Sequence, residues 1–475
     1  MKALFTLILI LWFTSCFGVR YFWVSPTGSN SANGDETHPW QTLRYAGSQA
    51  IAGDIITFEN GIYYPVDNAG YQLILTTSGT STAHIVFRAR NKWGAIFDGN
   101  SNYGKGLMYI SGSYIDIEGF EVRNFALSAF DVYSPSNYTT FTELNVHHIG
   151  RYCIPDADDN GRDAFYLSQA SNVTVQRCLV HDIGRFSPAE GCPTSTVGYQ
   201  VLDHGVYVNG CTTVTIRNNI FYNMQRGSSA QTYSGENRTT YGFQFYNNTC
   251  ENGNPYQQWG HVVLWGSVAG GLIANNIFKD HLAYAIRVYP TGYTYSTVVI
   301  TKNIISGGNG LLMPENPTGV SALNNYTNTN PLFVSESTHD YHLTVNSPAI
   351  NLGYNTSLYV DFYNQTRVIN DIGAVEYVSA VTVYYNTIQS ATVTRNNCGV
   401  GYTGSQVTYT VPAGSYESTI SVADANAYAQ ADVVANKQAY ANLYGYCIAI
   451  GSYTGWLKNN HSAILTNAHG QIISK

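Results

Sequence analysis

The sequence predicts an all-β chain that winds as a right-handed parallel β-helix, followed by a small α+β domain. Three observations carry that expectation. A phrase with paired asparagines, "TTVTIRNNIFYNM", returns as "FQFYNNTCENG", "GLIANNIFKDH", "VVITKNIISGG" and "VSALNNY". The apolar residues before each phrase (Ile117, Phe141, Val175, Ile216, Phe245, Ile273, Ile300 and Ala322) are spaced by 24, 34, 41, 29, 28, 27 and 22 residues. Repeats of twenty to fifty residues are the mark of a solenoid, and no interval leaves room for crossover helices.

Three residues beyond each anchor stand Phe120, Leu144, Cys178, Asn219, Asn248, Asn276, Asn303 and Asn325. If each interval is one coil, these positions stack about 4.8 Å apart. Inward asparagines then bond to the amides above and below, which satisfies groups that are costly to bury unpaired. Toward the N-terminus an apolar stack replaces the ladder. A short strand precedes each anchor: "SAFDVY", "DAFYLS", "HGVYVN", "YAIRVY" and "NGLLMP". Alternation turns Val206, Val208, Ile286 and Val288 inward and Tyr207 and Arg287 outward. The usual hand of parallel crossovers makes the coil right-handed.

The N-terminus, "MKALFTLILILWFTSCFGVR", reads as a signal peptide over residues 1–18, too short to span a bilayer. Either it is cleaved after Gly18 and the chain is secreted, or "FTSC" is a lipobox and Cys16 anchors a lipoprotein at the cell surface. No later segment reaches the length of a membrane helix. Charged residues make up 11% of the chain and the net charge of −7 forms no blocks. Nucleic acid is therefore not an expected partner.

Both ends of the repeat array resemble the pectate-lyase-like right-handed β-helix superfamily. "YFWVSPTGSNSANGDETHPWQTLRYAGSQAIAGDIITFENGIYY" is similar to its opening and "NPLFVSESTHDYHLTVNSPAINLG…DIGAVEY" to its closing segment. The resemblance implies one β-helical domain over 21–377, with a capping helix near Trp40–Ile51 that plugs the first coil. It is specific for fold and nearly silent on chemistry. Residues 378–449 resemble a small domain of unknown function appended to secreted bacterial proteins. Two strands and an Ala-rich helix from about Val422 to Leu443 are expected there, with Ser421 as N-cap and Gly445 as stop. Residues 450–475 read as a strand or tail.

The 34- and 41-residue intervals insert two loops of one frame, "HHIGRYCIPDADDNGRD" and "HDIGRFSPAEGCPTSTVGYQVLDH". His147 aligns with His181, Gly150 with Gly184 and Arg151 with Arg185. Stacking brings Asp163 beside His204 and Tyr166 beside Tyr207. Asp131, Gln231, His261 and Arg287 extend the same outer face, with His181 nearby, as substrate contacts. Such a cluster suits acid–base work on a glycan. A lyase would use His204 or Tyr207 as base and acid, with Arg185 or Arg287 on the uronate carboxylate; a hydrolase would pair Asp163 with Asp203. No lysine stands where the resemblance would put the usual lyase base. "DADDNG" matches the first half of a calcium loop at Asp156, Asp158 and Asn160. Leu167 stands at the twelfth position, and Asp163 could substitute. Similar β-helix lyases use Ca2+ to bind uronates, which gives the loop a role; an acidic solvated turn is the alternative.

Seven cysteines follow the leader, and an exported chain can oxidise them. Cys398 and Cys447 bracket the small domain and are expected to be bonded; Cys153 and Cys192, one in each insertion, would pin the loops. Cys178 falls in the ladder column and reads as a buried free thiol. The functional expectation is a secreted or surface carbohydrate-active protein, a lyase or hydrolase of acidic polysaccharide. A non-catalytic glycan-binding adhesin is the alternative, as is a structural filament subunit that self-assembles through its C-terminal domain.

Overall fold

The computed structural model describes residues 19–67, 70–100, 106–151, 161–186, 202–253, 260–289, 291–313, 317–378 and 383–450, and the backbone of three strands between 456 and 474. The leader with Cys16, the candidate calcium ligands Asp156, Asp158 and Asn160, and the pair Cys153 and Cys192 lie outside the described residues. The chain divides into two compact units, Met1–Tyr377 and Val378–Lys475.

In the first unit each coil contributes three strands, one more than the sequence pattern had named. In one coil these are Phe130–Tyr133, Asn137–Thr142 and Asn145–His147. Equivalent strands of successive coils pair in parallel and form three sheets, here called leading, middle and trailing. The leading sheet runs from Tyr71–Leu75 to Gly310–Met313, the middle from Arg20–Val24 to Val320–Leu323, and the trailing from Gly61–Tyr63 to Ile304–Ser306. Register is held coil to coil: Phe130 pairs with Phe165, Phe165 with Val206, and Val206 with Ala230. The inward column of the middle sheet (Phe87, Ile117, Phe141, Val175, Ile216, Phe245, Ile273 and Ile300) is fully buried. Each such side chain contributes about 1.5–3 kcal/mol through removal from water.

The asparagine pairs divide their labour. The first member sits at the bend between middle and trailing sheets with φ of 52° at Asn218, 52° at Asn247, 55° at Asn275 and 57° at Asn324. Asparagine enters this left-handed region at less cost than other non-glycine residues. The second member points inward and builds the expected ladder. Asn219 Nδ2 donates to Asn248 Oδ1 (3.0 Å), Asn248 to Asn276 (3.1 Å), Asn276 to Asn303 (2.9 Å) and Asn303 to Asn325 (2.9 Å). Each Nδ2 also donates to an anchor carbonyl of the preceding coil, as Asn248 does to Ile216 at 2.9 Å. The column ends on Cys178, a buried free thiol whose N–H donates to Asn219 Oδ1, and passes into Leu144 and Phe120.

The outward first asparagines hold a strap. After the last coil, residues 331–377 turn back along the solenoid beside the trailing sheet and close a second core with Tyr222, Ile277, Tyr341, Phe362 and Ile372. Asn218 Nδ2 donates to Val360 O, Asn247 Nδ2 to Asp371 O and Asn275 Nδ2 to Tyr354 O. Arg367, fully buried, donates to Asn218 Oδ1 at 3.1 Å and pairs with Glu376 at 2.7 Å.

Near the N-terminus, helix α1 (Leu43–Gln49), capped by Thr42, buries Leu43, Ala46 and Gly47 and packs on the strand Tyr71–Leu75 at the edge of the leading sheet. In the second unit, α2 (Val422–Tyr444) starts at the N-cap Ser421 and stops at Gly445, as its sequence requires. It packs on the antiparallel pair Gln389–Thr394 and Gln406–Val411 around Val411, Ala429 and Val433. Two further antiparallel pairs join this unit, beyond the two strands expected. Cys398 and Cys447 are disulfide-bonded, with Cα atoms 5.7 Å apart. The terminal strands Trp456–Asn459, Ser462–Thr466 and Ile472–Ser474 form an antiparallel sheet. Among the described residues no helix is long and apolar enough to cross a membrane.

Candidate functional site: an aromatic row and a buried polar turn

Outward positions on the leading sheet stand one above another because the coils pair in register. Rings recur there in coil after coil but step between register columns: Tyr109, Tyr166 and Tyr207 share one, Tyr133, Tyr233 and Trp265 another, and Tyr71 stands opposite Gly106. Tyr71 meets Tyr109 at 5.6 Å, Tyr109 meets Tyr133 at 5.0 Å, and Tyr133 meets Tyr166 at 5.5 Å between centroids. Tyr166 stacks on Tyr207 (5.3 Å), followed by Tyr233 (5.9 Å), Trp265 (6.5 Å) and Tyr289 (4.2 Å). The Arg287 guanidinium lies over Tyr289 at 4.7 Å. All eight rings are half-buried; Tyr109 on Tyr133, Tyr166 on Tyr207 and Trp265 on Tyr289 are stacked face to face.

Asp131 stands in this row, between Tyr109 and Tyr166 in register, and accepts a hydrogen bond from the Tyr71 hydroxyl. Burial lifts its carboxyl to about 6. Its Oδ1 meets no partner among the described residues. Gln231, paired in register with Tyr207, is also buried, with Oε1 likewise unmatched.

Behind the row, at the turns entering the leading strands, lies a buried polar network. Asp203 accepts from the Arg185 N–H, Nε (3.1 Å) and Nη2 (2.9 Å) and from the Arg162 N–H (2.9 Å). Asp163 Oδ1 accepts from the His204 N–H at 2.7 Å, and His204 Nδ1 accepts from the Ser228 N–H at 3.0 Å. Asp203 and His204 are wholly buried, Asp163 nearly so. Burial drives the His204 imidazole down to about 3, so it is neutral at neutral pH, and raises the Asp163 carboxyl well above its ordinary range. The Tyr207 hydroxyl is raised by burial as well.

The structure therefore brings Asp163 to His204 and Tyr166 to Tyr207. It also changes what some of the expected residues can do. Asp203 and Arg185 are bound to each other as an enclosed ion pair, so neither faces a ligand. His204 is enclosed, its ring lying nearly parallel to that of Tyr207 at 5.5 Å between ring centres. His261 does not join the outer row: it is fully buried against Phe278, donates from Nε2 to Lys279 O at 2.8 Å, and is driven down to about 3 by burial. His181 belongs to the trailing sheet, stacked between His147 (4.6 Å) and Tyr222 (4.5 Å). The pattern at the loop ends had placed these groups correctly along the chain but not in depth, because they stand in turns, where alternation no longer assigns a face.

The rest of the ring row (Tyr71, Tyr109, Tyr133, Tyr233, Trp265 and Tyr289) went unnamed in the sequence. Its signal is an aromatic at an outward strand position in each coil, masked by loops of unequal length.

Residues 22–212 match the family model "Pel9A-like, right handed beta helix region" and residues 194–347 the model "Right handed beta helix region". The chain is a right-handed parallel β-helix protein. To this β-helix is joined a segment, residues 384–448, that matches a family of unknown function, DUF5977. The β-helix protein is 30% identical over 154 residues to Pectate lyase PEL9 of Emericella nidulans, a match covering 29% of this chain and 36% of that protein. The chain thus aligns with about a third of the length of that relative. Among solved structures it is similar to pectate lyase Pel9A (17% identity, 76% of this chain, 96% of that one, TM-score 0.44) and to a rhamnogalacturonan lyase (15%, 66%, 91%, TM-score 0.44).

Proposed function

We propose that this β-helix protein is carbohydrate-active and binds an extended acidic polysaccharide along the outer face of its leading sheet. The observation that carries this is the eight-ring row from Tyr71 to Tyr289. Rings repeated at the coil spacing match a linear polymer of sugars, whose apolar faces stack on aromatics while their hydroxyls stay wet. Arg287 at one end supports an acidic rather than a neutral chain, as does the partial match to a pectate lyase. The apolar leader supports action outside the cytoplasm.

Cleavage is a second reading, favoured by one observation. Asp131 is a carboxyl lifted to about 6, set in the row against the Tyr71 hydroxyl, and a proton-transfer group is most useful near the working pH.

Affinity electrophoresis through gels holding pectate, alginate or a neutral glucan tests the first reading. Retardation is expected on an acidic gel, with Trp265→Ala and Tyr207→Ala each weakening it about tenfold. Equal mobility of wild type and Trp265→Ala on every gel would sink it. Release of unsaturated product, followed by ultraviolet absorbance and abolished in Asp131→Asn, tests the second.

A further inference from the structure

Beside α1 the first coil is not fully packed. A cavity of about 330 Å³ opens there, between α1 and the inner residues Phe97, Leu107 and Phe125. All three of those residues are almost completely buried, so its floor is apolar core. Its lip is apolar too, and exposed: Ile62 at 37%, Tyr64 at 59% and Val66 at 50%.

Gln41, Thr42 and Arg44 also line it, each engaged elsewhere: Gln41 Nε2 donates to Pro26 O, Thr42 Oγ1 accepts from the Tyr45 N–H, and Arg44 pairs with Asp67. One further polar side chain lies deeper. Gln72 is 6% exposed, and its Oε1 accepts from the Val66 N–H at 2.9 Å. That bond fixes the orientation of the amide and leaves Nε2 as a donor that meets no partner among the described residues. An unmatched buried donor costs roughly 1–3 kcal/mol. A ligand that supplies an acceptor recovers that cost on binding.

We infer that this well is a binding site for an acyl group: an aromatic ring or short branched chain joined to a carbonyl whose oxygen accepts from Gln72 Nε2. The size fits, since a cavity of about 150 Å³ lined by Leu, Ile and Phe holds one benzene ring. The well has room for a ring and a three-carbon arm. A free sugar fits the lining poorly, because its hydroxyls would face Phe97, Leu107 and Phe125, and Gln72 Nε2 is the lining donor left unmatched among the described residues. A purely hydrocarbon ligand would leave Gln72 unmatched. The nearest cation, Arg44, is already committed: it pairs with Asp67 and donates from Nε to Gln72 O at 3.2 Å. A carboxylate therefore has no free partner there, and a neutral ester or amide is preferred.

Titration of the full chain with methyl cinnamate, followed by ligand-observed NMR and calorimetry, tests the site without any polysaccharide. Saturable one-to-one binding is expected. 1-Phenylpropene, which keeps the ring and lacks the carbonyl, binds at least tenfold more weakly. Gln72→Glu keeps an acceptor for the Val66 N–H and removes the donor, and it closes that tenfold gap between the two probes. Ile62→Trp, at the exposed lip, blocks both probes without altering the melting temperature. Absence of saturable binding by the wild type, equal affinity for the two probes, or full binding by Ile62→Trp would each overturn the proposal. Failure on polysaccharide gels with retained methyl cinnamate binding would reject the polysaccharide reading and leave the well standing.

Discussion

The same coils present two outward rows, and the two have different fates. On the leading sheet the rings from Tyr71 to Tyr289 stay half-open. On the trailing sheet His147, His181 and Tyr222 stack just as closely, but the strap folds over the row: His339 lies on Tyr222 at 3.9 Å, and Tyr341 donates to Glu251 at 2.5 Å. Lys279 sits among Glu251, Asp280 and Glu336 and already occupies with its ammonium the one carboxylate cluster of metal-binding geometry among the described residues. Coil periodicity alone stacks side chains on every face. What separates an open face from a covered one is whether the chain spends another segment on it.

That contrast can be broken most severely at the strap. Arg367→Met leaves Glu376 enclosed without its cation, a carboxyl that burial already lifts to about 7. A loss of about 3–5 kcal/mol in denaturant melts is expected, and a loss under about 1 kcal/mol would show that the strap is dispensable. Asn248→Leu removes the acceptor for both the Asn219 N–H and its Nδ2, while the inner core keeps its volume. About 3 kcal/mol should be lost, and a neutral result would mean the ladder fills space rather than satisfying amides.

Paired ring deletions sharpen the comparison. Tyr222→Ala, in the strapped core, should cost about 2 kcal/mol more than Tyr166→Ala on the open face, whereas only the latter should weaken retention on acidic gels. Equal stability costs would erase the distinction between the rows. The last effect is electrostatic and vanishes near neutral pH. The folded state holds His261 neutral down to about 3, while the unfolded chain takes up a proton below its ordinary value near 6.5. Stability from this group is intact above that value and falls as pH drops through the window between the two. The slope is about 1 kcal/mol per pH unit. His261→Gln, which can still donate to Lys279 O, should flatten the acid limb by that amount, and an unchanged limb would refute the assignment.

The ladder was legible because its chemistry repeats: a buried amide at Asn219, Asn248, Asn276, Asn303 and Asn325 is explicable only by another amide one coil away. The role of the preceding residues was not, since nothing local says that Asn218 or Asn275 turns outward to meet a strap more than seventy residues downstream. The strap itself has no period. Helix α2 and the Cys398–Cys447 bond were legible from caps and bracketing. The neighbours Asp163 and His204 were legible from loop frames, but their burial was not, because depth at a turn is set by whatever lies above it.

The amide-to-amide bonds of the inner column all run the same way, each Nδ2 to the Oδ1 of the next coil. A column with one sense has interchangeable units: lift out a whole turn and Asn219 would find Asn276 as readily as it finds Asn248. Growth or shrinkage by copying turns keeps the interior intact and changes only how far the molecule extends, in increments of about 4.8 Å. The length of each outer face is thus counted in turns, and lineages could adjust it without redesigning a core.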